Sequence, residues 1–319
     1  MSEPKASDPV AGVDYPGTYQ QLQSWFPDNA SCVAYLGELR WGQGFSCPRC
    51  GFDQSWETGA GQRMCRACGR KTSVTAGTIF HRSHTPLSTW FAAIWFLTSQ
   101  KNGISAAGLQ RVLGFGSYET AWAWMHKLRR AMVRPDRDLL AGVVEVDETF
   151  VGGVSVGRPG AASTKSTVRV AVERVGPKRL GRVRLELGDA PNTSGLVHFA
   201  TTIVTPGSTI RTDGAIVMRR LSNLGYTHEF TTGYNAEDPN EVLPGVHLVA
   251  SLLKRWLIGT LHYGIAEEHL PYYLDEFTFR FNRRTATQRG LLFYRLLQQA
   301  VDTEPHPLSS LLHPDPREH

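Results

Sequence analysis

The sequence has no apolar run long enough to cross a membrane. Its longest run, Trp90 to Leu97, has about half of the residues that a membrane-spanning helix needs. The chain also lacks the basic and then apolar start that is typical of a secretory signal. We therefore expect a cytoplasmic protein without a membrane partner.

Cysteine is scarce, with five residues in a chain of 319. In a reducing compartment, so few cysteines argue against a disulfide framework and favour metal binding. Four of them form two pairs, Cys47 with Cys50 and Cys65 with Cys68, and 14 residues separate the pairs. This spacing is typical of a four-cysteine zinc ribbon, whose two turns present four thiolates to one tetrahedral ion. Gly51 and Gly69 follow the pairs directly, where such turns need a positive φ.

The predicted zinc ion is structural, since four thiolates leave it no open position for catalysis. Cys32, the fifth cysteine, is expected to be a small buried residue. Basic residues surround the ribbon, namely Arg49, Arg63, Arg66, Arg70 and Lys71. Their density fits a contact with a phosphate backbone and fits a solvated face equally well.

The sequence has fewer acidic than basic residues. It contains 29 Asp and Glu residues and 34 Lys and Arg residues, which gives a net charge of +5. This excess favours a polyanionic partner. The length suits two or three modules, and a content of 41% hydrophobic and 20% charged residues is typical of a globular chain. The polar start, Met1 to Gly12, and the Pro- and His-rich end after Asp302 are expected to be frayed.

The middle of the N-terminal half is predicted to be helical. Three helices are expected, Leu87 to Ser99, Ser105 to Leu113 and Ser117 to about Met132. The last two are joined by the short turn Gly114 to Gly116, which fits a helix-turn-helix with the second helix as recognition helix, or an ordinary helical hairpin. Arg129 and Arg130 near the end of that helix are candidate DNA contacts.

From Gly142 onward the pattern changes to strands. Strands are predicted at Val143 to Val151, Thr167 to Val175, Arg182 to Leu187, Ser208 to Thr212 and about Tyr226 to Phe230. Helices are predicted at Thr193 to about Ile203, Ala215 to Leu224 and about Val246 to Leu257. The order of three strands, helix, strand, helix, strand, helix is that of the RNase H-like fold, an α/β class with a mixed sheet and flanking helices.

Two carboxylates lie where such a sheet would bring them side by side. Asp147 is in the middle of an apolar strand, and Asp213 ends the fourth strand. Phosphodiester chemistry with two metal ions about 4 Å apart needs hard oxygen ligands of this kind on facing elements. For Asp213 an N-cap is the alternative. Glu145 shares the face of Asp147 and is a possible accessory ligand, whereas Glu148 should point to the opposite face.

Four stretches of the sequence resemble the motifs of a known protein family. They are Glu145-Val-Asp-Glu-Thr-Phe-Val-Gly-Gly153, Thr212-Asp-Gly214, Ser251-Leu-Leu-Lys-Arg-Trp256 and Phe279-Arg-Phe-Asn-Arg-Arg284. The chain resembles the zinc-ribbon insertion-sequence transposases of the DDE superfamily from Tyr19 to about Leu297. The resemblance implies Mg²⁺-dependent cleavage at transposon ends and transfer of the 3′-hydroxyl into target DNA, with Asp147 and Asp213 as the first two metal ligands. It also implies double-stranded DNA as partner and at least a homodimer, because two ends must be brought together.

The third metal position departs from the superfamily pattern. A Glu is expected 34 to 36 residues after the second Asp, with Lys or Arg seven residues further on; here His247 and Lys254 hold these positions. Seven residues are two helical turns, so both share a helix face. His247 is the candidate third ligand, and its imidazole suits Mn²⁺ better than Mg²⁺; positioning of a water or a phosphate is the alternative. The preceding loop offers rival acids, namely Glu237, Asp238 and Glu241.

Further basic residues are expected to contact DNA. They are Lys254 and Arg255 on the last predicted core helix and the cluster Arg280, Arg283 and Arg284. With a DNA partner, the cytoplasmic protein is expected to associate with the nucleoid.

The chain divides into five predicted segments. They are a disordered start (1–18), a zinc ribbon with its flanking segment (19–84), a helical DNA-binding region (85–136), an RNase H-like catalytic domain with a C-terminal helix (142–297) and a flexible tail (302–319). An active transposase is the leading hypothesis. The alternatives are a DNA-binding protein descended from a transposase and a zinc-ribbon nuclease on the same fold.

Overall fold

The computed structural model describes residues 8–59, 61–134, 137–152, 165–188, 193–230, 242–261 and 265–312. Two compact units make up the chain. The N-terminal unit comprises Met1–Arg134 and Thr285–His313, and the sheet unit comprises Pro135–Arg284 and Pro314–His319. Among the described residues, no helix combines the length and the hydropathy of a membrane span.

The N-terminal unit combines helices with a small antiparallel sheet. Its helices are α1 (Tyr19–Trp25), α2 (Asn29–Trp41), α3 (Leu87–Ser99), α4 (Ala106–Leu113), α5 (Tyr118–Arg130), α9 (Gly290–Asp302) and α10 (Leu308–Leu312). Its strands are β1 (Ser55–Thr58), β2 (Gln62–Cys65) and β3 (Lys71–Thr72), in the order β1-β2-β3. The predicted pair of helices is present as α4 and α5. Ser105 and Ser117 cap their first turns, and Gly114 ends α4 at a φ of 68°.

The C-terminal helix α9 belongs to the N-terminal unit and not, as predicted, to the catalytic domain. Its apolar face is buried at Leu292, Phe293, Leu296 and Leu297. The ring of Phe293 lies 5.7 Å from that of Phe91 and 5.6 Å from that of Trp95, both on α3. The helix is amphipathic, so its sequence reveals the apolar face but not the element that covers it.

Both ends of the described chain are more ordered than predicted. In the segment expected to be disordered, Tyr15 is 3% exposed and stacks on Tyr294 of α9 at 5.6 Å. In the segment expected to be a flexible tail, α10 buries Leu311. A few apolar side chains are therefore sufficient to hold these otherwise polar terminal segments against the folded protein.

The sheet unit is built on a five-stranded mixed sheet. Its elements are β4 (Val143–Val151), β5 (Ser166–Gly176), β6 (Arg179–Gly188), α6 (Thr193–Ile203), β7 (Thr209–Thr212), β8 (Thr227–Phe230), α7 (Pro244–Leu261) and α8 (Leu270–Asn282). The strand order is β6-β5-β4-β7-β8. Strands β4, β5 and β6 pair antiparallel, whereas β4, β7 and β8 pair parallel. This is the predicted RNase H-like sheet. The predicted helix after Asp213 is a 3-10 helix, Ile216–Leu224.

Helices pack on both faces of this sheet. On one face Val144 and Val146 join a core with Leu196 and Phe199 of α6. On the other face Val151 belongs to a core that also contains side chains of α7 and α8. Because successive residues of a strand point to opposite faces, Glu145 and Asp147 lie on the α7 side.

Candidate functional site

The four paired cysteines converge on one point. All four sulfur atoms lie within 4.8 Å of one another. The Sγ atoms of Cys47 and Cys68 are 3.6 Å apart, as are those of Cys50 and Cys65. A disulfide would need about 2.05 Å, whereas a zinc tetrahedron with Zn–S bonds of about 2.3 Å has edges of about 3.8 Å. The cluster therefore has the dimensions of a structural zinc site.

Two matching turns build this cluster. The N–H of Gly51 donates to the carbonyl of Cys47 at 2.9 Å, and the N–H of Gly69 donates to that of Cys65 at 3.1 Å. The two glycines have φ values of 72° and 67°, which confirms the predicted need for positive φ. Cys32 is fully buried on α2, as predicted.

The two candidate carboxylates lie at corresponding positions of neighbouring strands. The parallel register of β4 and β7 pairs Val143 with Thr209 and Glu145 with Arg211. Asp147 lies two residues after Glu145 and is still within β4. Asp213 lies two residues after Arg211 and directly follows β7. Asp213 is exposed, and its Oδ1 accepts a hydrogen bond from the N–H of Ala215 at 3.2 Å.

Asp147, Asp213 and His247 influence one another electrostatically. The pKa of Asp147 is raised to about 6, chiefly by burial and to a smaller extent by the charges of Asp213 and Glu148, while the N–H of Glu148 and the charge of His247 oppose the rise. Repulsion between two carboxylates is the condition that a bound cation relieves. Within the described residues, the cysteine cluster alone brings three or more possible ligand atoms into metal-binding range, so Asp147, Asp213 and His247 are neighbours without such a closed arrangement.

Glu145, the possible accessory ligand, makes contacts with α7 and with β5. Its carboxylate is buried, and its Oε2 accepts hydrogen bonds from the N–H groups of Gly245 at 2.7 Å and Val246 at 3.0 Å. Its Oε1 lies 3.4 Å from Nε of Arg174. Both oxygens of this carboxylate are therefore engaged by donors of the protein itself. Sequence reasoning missed this contact, because its partners lie about 100 residues away.

Glu148 points to the opposite face, as predicted. Its Oε1 lies 3.6 Å from Nε of Arg169 on β5. The same guanidinium binds Glu186 on β6, with 2.6 Å between Nη1 and Oε1. Glu148 is therefore part of a row of charges across three strands, away from Asp147.

The outer face of α7 carries the remaining candidates. His247, Ser251, Lys254 and Arg255 are all exposed, whereas Val246, Val249, Leu253 and Leu257 are buried. The structure thus places His247 and Lys254 on one exposed helix face, as the spacing predicted. The rival acids Glu237, Asp238 and Glu241 lie outside the described residues.

Two predicted DNA contacts are not available at the surface. Arg129 is 2% exposed, one turn after the buried Met125, because both lie on the inner face of α5. The side chain of Arg280 is 11% exposed and binds Glu276, with 2.8 Å from Nη2 to Oε1. Charge alone suggested exposure, but helical position placed both side chains inward. Arg130 is half-buried.

The other two members of the predicted C-terminal basic cluster pack against their own chain. The guanidinium of Arg283 lies 4.0 Å from the ring centre of Phe279, and that of Arg284 lies 4.1 Å from the ring centre of Phe281. Arg284 also donates hydrogen bonds to the carbonyls of Leu180 and Gly181. The hydrogen bonds of Arg284 join the end of α8 to β6.

Two parts of the chain match known families. Residues 139–282 match the ISXO2-like transposase domain, and residues 27–71 match the transposase zinc-ribbon domain. Together the matches cover more than half of the chain. The first contains Asp147, Asp213, His247 and Lys254, and the second contains the four clustered cysteines. No curated protein matches the chain.

Proposed function

The chain belongs to the zinc-ribbon insertion-sequence transposases of the DDE type, and on this premise we propose that it cleaves DNA at the ends of an insertion sequence and joins the freed 3′-hydroxyl to target DNA. One observation carries the proposal. Asp147 and Asp213 are 66 residues apart in the chain, yet Asp147 lies on β4 and Asp213 directly after the adjacent parallel strand β7, and the charges of Asp213 and His247 both act on Asp147.

In this proposal Asp147 and Asp213 hold divalent metal ions together with His247. Carboxylate oxygens are hard ligands that suit Mg²⁺ and Mn²⁺, and the imidazole shifts the preference towards Mn²⁺. When bound, such ions make a water or a 3′-hydroxyl more nucleophilic and stabilise the leaving oxygen. The fit rests on two effects that raise the pKa of Asp147, burial first and the charge of Asp213 second, because a cation between the two carboxylates offsets both.

The exposed face of α7 supplies the contact with the phosphate backbone. Lys254 and Arg255 are exposed to solvent about two turns after His247. Their charges would hold a DNA strand beside the metal ligands without reading its sequence. Arg130 and Arg283 remain weaker candidates for such contacts, since both are half-buried.

Recognition of the transposon end is assigned to the N-terminal unit. The first turn of α5 is exposed at Tyr118, Glu119 and Thr120, whereas most of its later residues are buried. Recognition helices contact base edges mainly through their first residues, which fits this distribution. A homodimer or higher oligomer follows from the reaction, because two ends must be cut and joined together.

A labelled duplex with a transposon-end sequence tests the reaction. Purified full-length chain is incubated with it in Mg²⁺ or Mn²⁺, next to the variants Asp213→Ala and Glu229→Ala. Glu229 is a matched control, because it is an exposed acid on the neighbouring strand and pairs with exposed Arg211. We expect end cleavage and joining in wild type and Glu229→Ala, and loss of both in Asp213→Ala.

Other outcomes of the same assay favour the alternatives. Tight end binding without cleavage in either metal contradicts the proposed reaction and favours a DNA-binding protein descended from a transposase. Cleavage of an RNA–DNA hybrid in preference to the transposon end favours a nuclease on the same fold.

A further inference from the structure

We propose that Glu145 is a positioning residue that ties the start of α7 to β4 and thereby sets the place of His247 relative to Asp147. This inference rests on the proposed function, since it concerns the metal ligands of that reaction. Glu145 itself touches neither DNA nor metal in this proposal.

The contact uses the free end of a helix. The first N–H groups of a helix have no partner within it, and its N-terminus attracts negative charge. Here Oε2 of Glu145 accepts hydrogen bonds from Gly245 and Val246, the second and third residues of α7, at 2.7 and 3.0 Å. A single buried oxygen thus satisfies two donors of the first turn.

Gly245 and Arg174 allow the start of α7 to lie close to the carboxylate of Glu145. A Cβ on Gly245 would lie 2.7 Å from Oε2 of Glu145, so glycine is what allows the helix to come this close. The other oxygen, Oε1, lies 3.4 Å from Nε of Arg174. With only 2% of Glu145 exposed, these donors replace the water that the carboxylate would otherwise bind.

The contact of Glu145 with α7 joins two segments that each carry a candidate metal ligand. Along β4 it precedes Asp147 by two residues, which is about 7 Å on the same face of the strand. Across the contact, Val246 directly precedes His247. One carboxylate therefore links segments that carry two candidate ligands, and its loss frees the first turn of α7 to move His247. Small displacements of this kind cost catalysis far more than they cost folding.

Glu173 provides the matched control. It is a buried acid on β5 that accepts hydrogen bonds from the N–H of Ala141 at 3.0 Å and of Arg182 at 2.8 Å. It also pairs with the Arg182 guanidinium at 2.6 Å. It thus has the same kinds of partners as Glu145 but lies on the opposite face of the sheet, away from α7.

The experiment compares Glu145→Ala, Glu145→Gln and Glu173→Ala in the full-length chain, below the temperature at which any of them unfolds. We measure Mn²⁺ affinity by electron paramagnetic resonance, binding of the transposon-end duplex, and its single-turnover cleavage. Loss of a residue that orients metal ligands typically costs roughly 10- to 100-fold in metal affinity or activity. We expect a loss of this size in Mn²⁺ affinity and cleavage for Glu145→Ala, with unchanged end binding. Glu145→Gln keeps an acceptor for the two N–H groups and should recover part of the loss.

The control decides between positioning and simple stabilisation. Glu173→Ala is expected to unfold at a lower temperature but to bind Mn²⁺ and cleave like wild type while folded. Equal Mn²⁺ affinities in Glu145→Ala and Glu173→Ala would overturn the positioning role. If wild type binds Mn²⁺ but does not cleave, the proposed function fails, while the series of Mn²⁺ affinities still decides the role of Glu145. If wild type binds neither Mn²⁺ nor Mg²⁺, both proposals fail.

Discussion

Asp147 lies on β4 and Asp213 directly after β7, each two residues beyond the pair that Glu145 and Arg211 form between these parallel strands. The first is half-buried within β4, and the second is exposed after the end of β7. The charge of Asp213 therefore acts on a carboxylate that is partly removed from water. Such an arrangement costs stability in the metal-free chain, and a divalent cation bound between the carboxylates, as we propose, would offset that cost.

The first prediction concerns the charge of Asp147. Asp147→Asn should raise the free energy of unfolding of the metal-free protein, on the order of 1 kcal/mol, because it removes the group whose pKa is raised to about 6. Mn²⁺ should raise the Tm of wild type but not that of the variant. Thermal unfolding at pH 7 with and without Mn²⁺ measures both effects. Destabilisation of the metal-free variant, or an unchanged Mn²⁺ effect, would contradict the prediction.

Much of this arrangement could be predicted from the sequence, because local rules determine it. The cysteine spacing and the glycines after each pair specify the ribbon turns, and these have the predicted geometry. Alternation along β4 assigns Asp147 and Glu148 to opposite faces. The order of strands and helices then brings Asp213 beside Asp147. Each step depends on residues close together in the chain or on a known topology.

The remainder depends on packing between distant segments. The N–H groups that bind Glu145 lie about 100 residues further on, and periodicity indicates only that its side chain faces α7. Helix α9 has an obvious apolar face, but whether α3 or the sheet covers it is decided by shape. Arg129 is charged and yet buried, because the same helix face carries Met125. Residue type was misleading where tertiary position decided exposure.

Two glycines of α7 should respond in opposite ways to substitution by alanine. The added Cβ of Gly245→Ala would lie 2.7 Å from Oε2 of Glu145, so the variant should lose about 1 to 3 kcal/mol of unfolding free energy. Gly259→Ala meets no atom within 4 Å and should be neutral or gain up to about 1 kcal/mol, because alanine favours a helix. Urea denaturation of both variants measures the difference. Equal effects would show that the contact with Glu145 does not constrain α7.

Zinc content should depend on the clustered cysteines and not on cysteine in general. Wild type is expected to bind one zinc ion per chain, and Cys65→Ser should lose it because three thiolates remain. Cys32→Ser is the control, since Cys32 is buried but lies outside the cluster. Atomic absorption after dialysis gives the stoichiometry. Retention of zinc by Cys65→Ser, or its loss from Cys32→Ser, would contradict the assignment.

Removal of zinc should unfold the ribbon itself. Strands β1 to β3 have two to four residues each, and the buried cluster around them contains Phe45 and two of the zinc-binding cysteines. So small a core cannot hold three short strands without the ion. Hydrogen exchange with and without a chelator tests this expectation. The N–H groups of Gly51 and Gly69 should lose protection, and continued protection after complete removal of zinc would show that the turns are stable without it.

The ion pair between Glu173 and Arg182 should make stability depend on pH. Burial raises the pKa of Glu173, but Arg182 and the N–H groups of Arg182 and Ala141 outweigh it and hold the pKa below its ordinary value of 4.5. A lowered pKa in the folded state contributes stability that is present above the unfolded value and is lost as pH falls through the folded value. Glu173→Gln should therefore be less stable than wild type at pH 7, with a difference that shrinks as the pH falls below about 4.5. Urea denaturation at several pH values measures it, and a difference that is constant from neutral to acid pH would mean that shape, and not charge, accounts for the contribution of Glu173.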